Sequence, residues 1–268
     1  RVLFRSGSDI HRKIMQMFRN YMAVGGMPQA VSAYVDGKDF QSIDRIKRNI
    51  IKLYIQDLKK HDGDENDRAS LVFKSLPEQL MNHNCVFRYS VIDENARRRN
   101  CSNAIDFLGE SMIVNNCVNV SKPEVSLGLY ANHSKFKMFM GDTGLLVSFI
   151  LQNSKETPDK LYRALILDDL SVNQGMIFEN IVAQMLKMNG HELFYHEFDY
   201  QAENNESSKH YEVDFLLVKG KRIVPIEVKS SNYKSHKSFD YFKEKYQIKI
   251  NERYIIYTKD LEVSDGIV

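Results

Sequence analysis

Two short stretches carry the residue types that metal-assisted hydrolysis needs: Glu212-Val213-Asp214-Phe215-Leu216-Leu217 and Pro225-Ile226-Glu227-Val228-Lys229. Both read as strands, in which successive side chains alternate between faces. Glu227 and Lys229 therefore share one face, and Ile226 and Val228 point the other way. Asp214 is likewise opposed by Val213 and Phe215. A two-residue hairpin turn at Gly220-Lys221, with Gly first, pairs Lys219 with Arg222. Counting back along both strands puts Asp214 directly opposite Glu227. Opposed side chains have Cβ atoms roughly 4.5–5.5 Å apart, and two like charges there repel. A divalent cation between them offsets the repulsion. Magnesium (or manganese) suits, because Mg²⁺ takes one or two carboxylates and keeps several waters. Lys229 on the same face could orient or deprotonate an attacking water, or stabilise developing phosphate charge. The chemistry expected is metal-assisted phosphodiester hydrolysis.

A Glu-x-Lys strand can instead form a same-face ion pair on a solvated surface. The flanks weigh against that. Asp214 sits in Val-Asp-Phe-Leu-Leu-Val and Glu227 in Ile-Val-Pro-Ile-Glu-Val, and carboxylates in core strands are rarely left unpaired. Glu179, in Phe178-Glu179-Asn180, is a further acid on the helix that precedes these strands; taken alone it reads as an exposed helix glutamate.

The elements that must position these groups run α-β-β-β-α-β. A helix spans about Gln174–Met188, and strands follow at Leu193–Phe198, Tyr211–Val218 and Arg222–Lys229. A helix over His236–Tyr246, with Ser235 as its cap, precedes a last strand at Tyr254–Tyr257. Upstream, residues 9–62 read as all-helical, with a stop at Gly25-Gly26-Met27-Pro28. His61–Arg68 reads as a loop. Residues 69–150 read as helices at Ala69–Leu76, Glu78–Asn82, Asp93–Arg99 and Asn103–Glu110. Strands at Val114–Val120 and Phe136–Met140 follow. Helices followed by a two-stranded hairpin fit a winged helix. The fold class expected is an α+β or α/β multidomain chain: leader 1–8, helical segment 9–62, winged helix 69–150 and a restriction-endonuclease-like domain 153–268.

Composition agrees with a globular protein. The 268 residues are 43% hydrophobic and 27% charged, with formal net charge +2. No run of eighteen apolar residues exists, so a membrane-spanning helix is excluded. Near-neutrality disfavours uniform coating of nucleic acid, but the charge is uneven: residues 1–149 carry +5 and residues 150–268 carry −3. The strongest basic run, Arg97-Arg98-Arg99, lies at a helix end where a winged helix can meet a DNA backbone; a solvated helix face is the other reading. Lys135 and Lys137 flank Phe136 and read as structural. His191 and His196 stand five apart in a presumed strand and have no zinc-ligand geometry. His83, His133 and His236 show no ligand spacing either. Phe239, Tyr241, Phe242 and Tyr246 read as helix packing. Cys85, Cys101 and Cys117 match no disulfide framework or zinc pattern, which points to a reduced, cytoplasmic setting. The chain opens on Arg1 and is expected to be a fragment.

Asp, then Glu-x-Lys, on adjacent strands in this order resembles the PD-(D/E)XK nuclease superfamily. Most of the chain also resembles the C-terminal region of a family of prokaryotic AAA/STAND-type ATPases, a domain of unknown function. The stretches that carry this second resemblance are Gly25-Gly26-Met27-Pro28, Ser75-Leu76-Pro77-Glu78-Gln79-Leu80, Phe136 to Leu146, Phe178-Glu179-Asn180, Glu212-Val213-Asp214-Phe215 and Ile226-Glu227-Val228-Lys229. The resemblance implies Asp214, Glu227 and the Val228 carbonyl as metal ligands, Lys229 as the catalytic lysine and Glu179 as the first-helix acid. It implies a helical lid, a winged helix, DNA as partner and an ATPase domain upstream. No G-x-x-x-x-G-K-[ST] sequence occurs, so no ATP site is expected in this stretch. The competing expectation is a nuclease-fold module that binds DNA or protein without cutting. An oligomer is compatible with either.

Overall fold

The computed structural model describes residues 7–62, 67–82, 85–167, 169, 174–201, 207–230, 237–247 and 252–262. The leader residues Arg1–Ser6, together with His83, Ser235 and His236, lie outside them. The protein is a mixed α+β chain that divides into two compact units. One comprises Arg1–Arg12, Cys117–Lys137 and Met185–Val268; the other comprises Lys13–Asn116 and Met138–Gln184. Among the described residues, no helix is long and apolar enough to cross a membrane.

The helical unit is built from α1 (Ser8–Val24, from Lys13 on), α2 (Pro28–Val35), α3 (Phe40–Asp62), α4 (Arg68–Met81), α5 (Arg98–Glu110), α6 (Thr143–Leu151), α7 (Pro158–Ile166) and most of α8 (Gln174–Met188). Gly25 ends α1 at φ +83°, a left-handed conformation that favours glycine. A Cβ there would meet Asp142 Oδ1 at 2.4 Å and Gly144 Cα at 2.8 Å. Asp142 explains the crowding. Its Oδ1 accepts from the Leu145 amide at 2.8 Å and caps α6, while Oδ2 accepts from the Gly26 amide at 2.6 Å. Asn180 of α8 works similarly: Oδ1 accepts from the Met140 amide at 2.8 Å, and Nδ2 donates to Thr143 Oγ1 at 2.9 Å. Three of the stretches singled out in the sequence thus form one buried joint.

Several elements differ from expectation, α6 among them, which the sequence reading does not include. The helices expected either side of Pro77 are one helix, α4, with Pro77 inside it. Burial of Val72, Phe73, Leu76 and Leu80 outweighs the lost backbone hydrogen bond, and the Ser75 hydroxyl donates to the Val72 carbonyl at 2.8 Å. The helix expected over Asp93–Arg99 does not form as such: residues 92–97 are turn and coil after a 3-10 turn at Tyr89–Val91, and α5 begins at Arg98 and takes in the helix expected at Asn103–Glu110. The polar-flanked α7 was not anticipated; its nine residues bury Tyr162 and Leu165.

The sheet has strands β1 (Val114–Val120), β2 (Ala131–Met140), β3 (Leu193–Tyr200), β4 (Lys209–Lys219), β5 (Arg222–Val228) and β6 (Tyr254–Ile256), in the order β2-β1-β3-β4-β5-β6. From Gln174 onward the element order is α-β-β-β-α-β, as expected. β3, β4 and β5 are antiparallel neighbours, and β6 pairs parallel with β5. β1 and β2 do not stand apart as the wings of a separate domain: β1 pairs parallel with β3, Cys117 opposite Leu193 and Asn119 opposite Tyr195. In the sheet unit one face is apolar. Val120, Phe198 and Val213 pack there with Phe239 and Phe242 of α9 (Lys237–Tyr246). Each fully buried phenylalanine contributes about 2–3 kcal/mol of transfer free energy.

Candidate functional site

The two carboxylates stand at the end of the β4–β5 ladder away from the turn. Lys219 pairs with Arg222 and Phe215 with Ile226, the register expected from the two-residue turn. Gly220 takes φ +63° at the first turn position, as a type II′ hairpin requires. The next step of that register places Asp214 against Glu227.

Glu227 is 1% exposed. Its Oε2 lies 3.4 Å from Lys229 Nζ but accepts no hydrogen bond from the described residues. Burial pushes its pKa up to about 7; Lys229 pulls it down, and the Asp214 charge adds to the rise. Asp214 is held differently. Its Oδ2 accepts from the Val228 amide at 2.7 Å, so the strand backbone fixes the carboxylate. Lys229 follows β5 and is anchored by its amide, which donates to the Ile256 carbonyl at 2.9 Å. Asp214, Glu227, Val228 and Lys229 are thus gathered at one end of the β4–β5 ladder. Glu179 lies half-buried on α8, in the helical unit.

The set fits a hard divalent cation on two grounds. Glu227 keeps a buried oxygen without a hydrogen-bond donor, and a buried polar atom left this way calls for a functional or ionic partner. The donor chemistry is also all oxygen, with two carboxylates, as Mg²⁺ prefers. No group of three or more His, Cys, Asp or Glu side chains with metal-binding geometry occurs among the described residues. A cation here would therefore rely on Asp214, Glu227, a backbone carbonyl and water.

The arginine run stands at the amino end of α5. Arg97 Nη1 donates to the carbonyls of Glu94 at 3.0 Å and Ala96 at 2.8 Å, so part of that guanidinium is used locally. Arg98 and Arg99 are exposed on the first turn of α5, where helix N-termini favour anions. His196 is a buried core histidine: its ring nitrogens meet the Val120 carbonyl at 2.6 Å and the Tyr246 hydroxyl at 2.7 Å. Sequence reasoning missed Glu197 and Glu212 as partners of Lys135 and Lys137. No local spacing signals these pairs, because the partners stand 62 and 75 residues apart in the chain.

A family described as a domain of unknown function (DUF8612) matches residues 15–156. A second domain of unknown function (DUF4143) matches residues 174–267, the stretch that contains the carboxylate pair. No curated protein matches the chain. No solved structure matches it either.

Proposed function

We propose, for a chain that belongs to the DUF8612 family, that the region with the carboxylate pair is a divalent-cation-dependent phosphodiester hydrolase with a PD-(D/E)XK nuclease-like site acting on DNA. One observation carries this reading. Two carboxylates stand in cross-strand register, and the buried one, Glu227, retains an oxygen with no hydrogen bond from the described residues. Asp214, Glu227 and the Val228 carbonyl would hold Mg²⁺ or Mn²⁺. The bound cation would supply Lewis-acid stabilisation of phosphate charge and a more acidic water. The Val228 amide holds Asp214 in place through Oδ2. Lys229 approaches the same face from the end of β5 and would orient the attacking water or neutralise charge on the scissile phosphate. Arg98 and Arg99, with Arg97 behind them, would contact the DNA backbone in a salt-dependent way. The helical part would serve as a lid-like segment to an ATPase domain of the same protein, in a cytoplasmic setting.

A second reading has its own support. Only two carboxylates converge, with no third His, Cys, Asp or Glu among the described residues, as a nuclease-like module that binds DNA or protein without cutting would allow. Incubation with plasmid and short duplexes in Mg²⁺ or Mn²⁺ separates the two. Nicking by wild type, lost in Glu227→Ala and Asp214→Ala, supports the enzyme. Equal nicking by all three sinks it. DNA binding that survives Glu227→Ala but disappears when Arg97, Arg98 and Arg99 are changed together favours the binding module.

A further inference from the structure

Glu227 lies on the side of the sheet that a helix covers. It is the register partner of Ile255 on β6, and partnered residues of adjacent strands face the same way. Ile255 packs into the apolar core with Ile223, Phe239 and Phe242. The two phenylalanines belong to α9, so Glu227 stands on the face under that helix. α9 brings a carboxylate of its own, Asp240, next in sequence to Phe239. All of these residues belong to the sheet unit.

Asp240 is held from the β6 side. Arg253 Nη1 donates to Asp240 Oδ1 at 3.1 Å, and the arginine side chain is only 9% exposed. Arg253 precedes Ile255 by two residues and therefore shares its face. Asp240 itself is 55% exposed, so its carboxylate is open to water. Its charge reaches the buried acid: Asp214 and Asp240 both add to the rise of the Glu227 pKa, which burial dominates and Lys229 opposes. Direct coordination is a separate matter. No three His, Cys, Asp or Glu side chains among the described residues are placed to share one ion. Asp240 is thus within charge range of Glu227 but is not a third direct ligand.

We propose that Asp240 is an outer-shell acid of the Asp214–Glu227 cation site: it accepts hydrogen bonds from waters that the cation keeps, and Arg253 fixes it there. The inference rests on the cation site proposed above. Mg²⁺ binds through one or two carboxylates and retains several waters. Those waters are polarised donors, and an ionised carboxylate is their strongest side-chain acceptor. Groups acting at this remove orient the inner ligands and tune the affinity of the site. The roles then divide. Asp214 and Glu227 touch the ion, Asp240 is a positioning residue that acts through water, and Arg253 sets the direction of its carboxylate.

The test is calorimetric titration of the whole chain with Mg²⁺ above pH 7, without any activity readout. Asp240→Asn keeps the size of the side chain but removes its charge, and should weaken Mg²⁺ binding by about tenfold. Arg253→Met breaks the ion pair but leaves the Asp240 charge in place, and should bind Mg²⁺ at least as tightly as wild type. A pair that merely latches α9 onto the sheet would weaken binding in both variants alike, and that result overturns the inference. Wild-type affinity in Asp240→Asn overturns it too. If Arg253→Met does not fold, Arg253→Lys decides. It keeps the positive charge and shortens the reach: a Kd within about twofold of wild type supports the inference, and a loss as large as that of Asp240→Asn overturns it. Wild type that takes up no Mg²⁺ instead overturns the underlying site, and the inference falls with it.

Discussion

Two buried carboxylates, Asp44 in the helical unit and Glu227 in the sheet unit, are treated oppositely by their surroundings. Asp44 is saturated. Its Oδ1 accepts from the Ser148 hydroxyl and, at 2.8 Å, from the Tyr162 hydroxyl; its Oδ2 accepts from Arg48 Nε at 2.5 Å. The neighbouring Lys47 is fully buried and donates to the Ala23 carbonyl at 2.5 Å and the Tyr162 hydroxyl at 2.9 Å. Every group there has a protein partner, and the network joins α1, α3, α6 and α7. Glu227 has one lysine at 3.4 Å and an oxygen with no hydrogen bond from the described residues. Both sites bury charge, but only one is finished by the fold alone. A saturated network specifies packing, whereas an unsaturated one stores a cost that a ligand can relieve.

The largest expected effect breaks the finished network. Asp44→Ala leaves Arg48 Nε, Ser148 and Tyr162 without this acceptor and removes the charge that faces Lys47, and should lower stability by about 3–5 kcal/mol, read by urea unfolding. A loss under about 1 kcal/mol would show that the network is not structural.

The two sites should also differ in the sign of their pH dependence. Burial, partly offset by the Asp44 charge, pulls the Lys47 pKa down to about 7. The unfolded chain then holds more protons between that value and the ordinary lysine range, so stability rises with pH through this window. Lys47→Met should flatten a rise on the order of 4 kcal/mol. For Glu227 the folded pKa is raised to about 7. The folded state holds more protons, so stability falls as pH climbs from the ordinary carboxyl range to about 7. In chelator above pH 7, Glu227→Gln should therefore be more stable than wild type by up to about 3 kcal/mol. A Glu227→Gln variant less stable than wild type there would show that the charged form is already well compensated.

The smallest effect concerns Tyr195. Its hydroxyl is buried and lacks a hydrogen-bond partner among the described residues. Tyr195→Phe should be neutral or stabilising by about 1 kcal/mol. A clear loss in thermal melts would mean that the hydroxyl is held through a bridging group.

Much of the candidate site was legible because it is local. The turn at Gly220-Lys221 sets the register of β4 on β5, and that register brings Asp214 against Glu227. Apolar neighbours around Glu227 foretold its burial. Helix boundaries around Pro77 and Arg99 were less legible. Propensity marks Pro77 as a breaker, but the burial of Phe73 and Leu76 carries α4 through it. α7 escaped notice because nine residues with two buried side chains give little periodic signal.

The sequence by itself determined the α-β-β-β-α-β order and the hairpin register, since both depend on turn length, side-chain alternation and short-range periodicity. Only the tertiary structure decided that β1 pairs with β3 rather than closing a separate wing, and that Lys137 reaches Glu212. It also decided that Asp142 ties Gly26 to the start of α6. Those partners are about 75 to 116 residues apart in the chain. Which of many equivalent lysines or aspartates meets which partner depends on strand order and helix packing, and no local spacing encodes that.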